Sequence, residues 1–152
     1  MASSRSVGAF LYTLYAEKYD EGMDEMKMHK LMYFSQRESL MLYNRLLFVE
    51  DFYGWKYGPV LKSVRTEYHK ERPYYGVEDD LLENEKVLLS AVMDRYGGLS
   101  SWKLSSLSHA ELSWRKSRNG LQAGENGEVK LDLKAMKVDA AREKALRKRQ
   151  AV

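Results

Sequence analysis

Three histidines, His29, His69 and His109, are the side chains in this sequence best suited to proton transfer or metal ligation, and each stands far from the others. None belongs to a zinc spacing such as HExxH, so no metal site is expected. Ser108-His109-Ala110-Glu111 is the densest grouping of reactive types. General acid–base work there would need a nucleophile and an orienting acid brought near by the fold. The commoner role for such a histidine is to hold a helix junction by hydrogen bonding. The chain has no cysteine, so disulfides, thiol catalysis and Cys-ligated zinc are excluded. It has no phosphate loop, no GxGxxG and no nucleophile elbow, and no cofactor and no enzymatic activity are expected.

The elements that would position these groups are helical. Val7, Phe10, Leu11, Leu14 and Tyr15 repeat every three or four residues, with Ser6 available as a cap. Asp24 precedes a Met- and Leu-rich run from Met26 to Tyr43 with no Gly or Pro, which predicts the longest and most central helix. Its Met28, Leu31, Met32, Ser35, Ser39 and Leu42 mark one face. Leu46–Val49 and Phe52-Tyr53 read as irregular chain or a short hairpin. Gly54-Trp55-Lys56-Tyr57-Gly58-Pro59-Val60 then reads as a fixed bend: Gly58 supplies φ > 0, Pro59 opens a helix, and Trp55 and Tyr57 are buried between the flanking elements.

Further helices are expected from Pro59 to Lys70 and around Val87–Tyr96, the latter ended by Gly97. Two short pieces flank His109, capped by Ser100 or Ser101 and by Ser113. Val129 and Leu131 form a strand remnant, and a last helix runs from Asp132 to Arg149. The sum is a mainly α, compact single-domain bundle of about six helices with a short β-hairpin before Trp55. A chain of 152 residues suffices to bury a core of its own.

Charge is uneven. Lys134, Lys137, Arg142, Lys144, Arg147, Lys148 and Arg149 face only Asp139 and Glu143, so this stretch carries +5 against +3 for the whole chain. Lys144, Arg147, Lys148 and Arg149 are therefore partner-binding candidates, for nucleic acid or an acidic protein. Tyr74 and Tyr75, adjacent aromatics in a polar loop, are candidates for a contact patch. No apolar run approaches the roughly 20 residues of a membrane helix, and no export signal is recognisable. A cytoplasmic protein without membrane partners is expected.

Three segments together resemble the Panacea antitoxin family, which includes SocA-like antitoxins and phage-associated GepA-type proteins. Lys27-Met28-His29-Lys30-Leu31-Met32-Tyr33-Phe34-Ser35-Gln36 is similar to the family's Lys-Leu-x-Lys-Leu-Leu-Tyr-Tyr-Ala-Gln helix. Gly54–Val60 matches its Ala-Trp-x-Tyr-Gly-Pro-Val, with Gly54 in place of alanine. Leu104–Trp114 is similar to its Leu-x-x-Leu-Thr-His-x-x-x-Pro-Trp, with Ser113 in place of proline.

The resemblance implies a domain over residues 1–120, with residues 121–152 a basic C-terminal extension packed on it. It implies a non-enzymatic antitoxin, often carried by prophages, that neutralises a cognate toxin by direct binding. SocA-like members also resemble adaptors to a AAA+ protease. A nucleic-acid-binding regulator using the basic helix is the alternative. The matching residues Lys30, Leu31, Tyr33, Gln36, Trp55, Tyr57, Gly58, Pro59, Val60, His109 and Trp114 are expected to be structural, leaving loops and tail to choose the partner.

Overall fold

The computed structural model describes residues 1–151, and among them are seven helices and one two-stranded hairpin. Helix α1 (Ser4–Tyr19) is followed by α2 (Glu25–Tyr43), β1 (Phe52–Trp55), β2 (Gly58–Leu61) and α3 (Lys62–Tyr68). Then come α4 (Glu83–Tyr96), α5 (Ser101–His109), α6 (Leu112–Ser117) and α7 (Leu133–Gln150). The mainly helical bundle is as expected, with one more helix than about six.

Helix α2 is the axis. Asp24 caps it, accepting from Lys27 N–H at 2.8 Å, and every residue from Lys27 to Leu40 is buried beneath α1, α4, α5, α7 and the hairpin. An interior helix is normally apolar all round, yet this one carries Lys27, His29, Lys30, Gln36, Arg37 and Glu38. Most reach a partner on another element. Lys27 donates to the Gly97 carbonyl at 2.9 Å, and Gln36 bridges the Leu47 N–H (2.7 Å) and the Phe48 carbonyl (2.8 Å). Tyr33 shares hydrogen bonds with Ser113 (3.0 Å) and Asp139 (3.4 Å), while Leu31 packs in the core.

Several helix starts differ from the sequence reading. Ser3, not Ser6, caps α1, and Ser6 instead donates to the Glu78 carbonyl at 3.0 Å. Helix α3 begins at Lys62, three residues after Pro59, because Pro59 lies in β2. There it opposes Gly54, whose own N–H points away from β2 to the Val129 carbonyl at 3.1 Å. Pro59 thus occupies a position where the ladder does not ask for its missing donor. The hairpin contains Trp55 instead of preceding it, and its turn is Lys56-Tyr57. The expected remnant at Val129–Leu131 joins the outer edge of β1, where Leu131 donates to the Phe52 carbonyl at 2.9 Å and Tyr53 pairs with Lys130.

Ser113 does not cap α6. The carboxylate of Asp139, 1% exposed on α7, accepts from Leu112 N–H (2.7 Å) and Ser113 N–H (2.9 Å), so α6 is capped from another helix. Helix α7 is further fixed by Arg147, which makes two bonds to Glu38 (2.6 and 2.9 Å) and one to Glu143 (2.8 Å). Arg142 reaches the Ala110 carbonyl at 3.0 Å and the buried Glu111, which also pairs with Arg37.

Candidate functional site

The hairpin turn sits on the N-terminal half of α2, and the groups holding it come from α2, α5 and α6 with its C-terminal cap. Four of the hairpin's backbone carbonyls accept from side chains. Arg118 donates to Gly54 O at 3.0 Å, the Trp114 indole N–H to Trp55 O at 2.8 Å, and Ser105 to Tyr57 O at 2.6 Å. Lys30 donates to Pro59 O at 3.5 Å. His109 stacks on Trp114 with ring centroids 4.1 Å apart and planes 10° from parallel. Burial, and then the nearby Lys30 charge, hold His109 below the usual histidine range, so it is a neutral ring bracing Trp114.

Gly58 is where the turn meets α2 and α5 most closely. Its φ is +123°, a conformation side chains rarely adopt, and a Cβ there would come within 2.5 Å of Ser108 Oγ and 2.8 Å of Lys30 Cε. At Gly54 a Cβ would overlap the Ser117 side chain. The family-like alanine therefore has no room at that position unless Ser117 moves.

Beneath the turn lies an open pocket of about 370 Å³, walled by Met26, Trp55, Tyr57 and Val60, with Lys30 at its floor and Arg65 at its rim. Lys30 is 1% exposed, and burial pushes its ammonium down to about 8. His29 accepts the Leu61 N–H on Nδ1 (3.1 Å) and so carries its proton on Nε2, which faces Glu25 at 3.0 Å. Burial lowers the His29 pKa, so the ring is neutral, and its hydrogen bond lowers the Glu25 carboxyl in turn. The Arg65 guanidinium lies 4.8 Å from the Trp55 ring.

Outside the pocket, Tyr57 is 45% exposed and meets Trp102, 64% exposed, edge to face at 5.3 Å. Trp55 is half-buried. The expectation that Trp55 and Tyr57 are both buried is corrected accordingly: the turn projects over α2, with Tyr57 exposed and Trp55 half-buried. Trp102 was missed in the sequence. Its signal was its place on α5 away from Leu104, Ser105 and Ser108, the residues that face the core.

The segment with this hairpin is where the chain's relationship shows. The family described as antitoxin SocA-like, Panacea domain, matches residues 28–115, from the first turns of α2 into α6. The chain belongs to this family. No curated protein and no solved structure matches it. Within the Panacea domain, Lys30, Trp55, Tyr57, Gly58, Pro59, Val60, His109 and Trp114 converge on the hairpin, whereas Leu31, Tyr33 and Gln36 point into the core.

The other candidates lie elsewhere. Tyr74, with φ +64°, is 7% exposed and packs on Gly8, Tyr12 and Tyr68, so it is a core residue and not a contact residue. Tyr75 is 70% exposed beneath Arg72. On α7, Lys144, Lys148 and Arg149 are exposed, but Arg147 is committed to Glu38 and Glu143, as the sequence could not show. Among the described residues no three His, Cys, Asp or Glu side chains cluster as metal ligands, and no helix is long and apolar enough to cross a membrane.

Proposed function

We propose that this protein is the antitoxin of a toxin–antitoxin pair and neutralises its cognate toxin by direct protein–protein binding, without catalysis. The observation that carries the reading is membership of the SocA-like antitoxin family across α2 to α6. The hairpin face suits the task physically. Its carbonyls are held by four side chains, so little order is lost on binding, and Trp102, Tyr57 and Arg65 are residue types that dominate interface energetics.

Co-expression with the neighbouring open reading frame tests this. That product is expected to arrest growth alone and to be harmless beside this chain. A neighbour that is harmless alone, or that stays toxic in its presence, rules the reading out. Delivery of the toxin to a AAA+ protease would appear as a shorter toxin half-life when this chain is present. DNA binding is less favoured, because two of the α7 cations, Arg142 and Arg147, are paired with the carboxylates of Glu111 and Glu38.

A further inference from the structure

The pocket under the hairpin holds cationic charge that its own walls do not neutralise. The Lys30 ammonium has three donors and, among the described residues, one partner, the Pro59 carbonyl at a long 3.5 Å. Lys27, three residues earlier on α2, shows the contrast: it has a carbonyl at 2.9 Å and a tyrosine hydroxyl at 3.3 Å. Lys56 and Arg65 add two more cations at the rim. The acid beside them, Glu25, is already engaged by His29 at 3.0 Å and Arg65 at 3.8 Å. The rest of the wall is Met26, Trp55, Tyr57, Gly58 and Val60, with Asn126 at one side.

Resting on the antitoxin reading, we infer that this pocket receives a carboxylate of the toxin together with an apolar side chain beside it. The carboxylate pairs with Lys30 at the floor, and the apolar group lies against Trp55 and Met26. A volume of about 370 Å³ admits one such side chain and its acid, and falls in the range of pockets that bind small ligands. A phosphodiester would supply the charge but would leave the apolar wall uncovered. The acidic protein segment is thus the better fit.

The experiment is a titration of the ¹⁵N-labelled full chain, read at the Trp55 indole N–H, with 3-phenylpropionate, its amide and phenyl phosphate. The carboxylate is expected to shift the signal saturably at millimolar concentration, at least tenfold more tightly than the amide, and the shift is expected to vanish in Lys30→Met. Equal binding of acid and amide, or tighter binding of phenyl phosphate than of the carboxylate, overturns the inference. Lys30→Gln serves as a second variant should Lys30→Met not fold.

Against the neighbouring toxin, Lys30→Met is expected to bind at least tenfold more weakly than wild type. Unchanged binding by a folded variant overturns the inference and leaves the antitoxin reading standing. A wild-type chain that fails to neutralise the toxin overturns that reading and this one with it.

Discussion

Lys30 and His29 are neighbours on α2, and both are buried, but they stand in opposite relations to stability. Lys30 keeps a charge in an apolar setting with one long hydrogen bond, which burdens the fold at neutral pH. Its folded pKa of about 8 lies below the usual lysine value, so the penalty is full below pH 8 and is relieved as pH rises toward about 10.5. Lys30→Met should therefore raise stability at pH 7 by about 1–3 kcal/mol in urea denaturation. His29 is satisfied only when neutral, because Nδ1 must accept from Leu61. Its pKa is depressed in the fold, so its contribution is present above about pH 6.5 and is lost as pH falls below it. Burial pushes Glu111 the other way, up to about 7, and its contribution is lost as pH rises through that value. The measurable quantity is the difference between wild type and His29→Gln: the gap in unfolding free energy should shrink between pH 7 and pH 5.

The elements divide into those set by their own residues and those set from afar. Asp24, Ser100 and Asp132 cap their helices from the adjacent position, Ser100 being one of the two caps the sequence offered for α5, because a cap is a contact across three residues. Pro59 misled the same reading: a proline after a glycine suits a helix start as well as a strand facing no ladder donor, and only pairing with Gly54 separates the two. The cap of α6 was illegible for a different reason, since Asp139 lies 26 residues from Ser113. Asp139→Ala should cost about 2–3 kcal/mol, as it orphans two N–H groups and the Tyr33 hydroxyl loses a partner. The charge of α7 was legible as a block but not residue by residue. Arg147→Ala leaves Glu38 buried without its guanidinium and should cost about 2–4 kcal/mol, whereas Lys148→Ala should change stability by less than about 0.5 kcal/mol. Thermal or urea unfolding of the three variants checks these values.

At the scale of the whole molecule, the family segments serve two ends at once. Leu31, Tyr33 and Gln36 knit α2 to the loop after it and to α6, and Trp114, His109 and Ser105 hold the hairpin. The same hairpin then offers Tyr57, Trp55 and the Lys30 pocket outward, next to Trp102. The sequence motifs identified the family but not this exposed face, because exposure depends on which way the turn projects. On the antitoxin reading proposed above, the binding face is the hairpin with its Lys30 pocket and neighbouring Trp102, and not the Tyr74-Tyr75 loop or the basic helix. Isothermal titration of the purified neighbouring gene product into this protein tests that placement most directly. The expected result is saturable one-to-one binding that Trp102→Ala weakens by about 30-fold or more without lowering the melting temperature. No complex, or one that a folded Trp102→Ala binds as tightly as wild type, would contradict it.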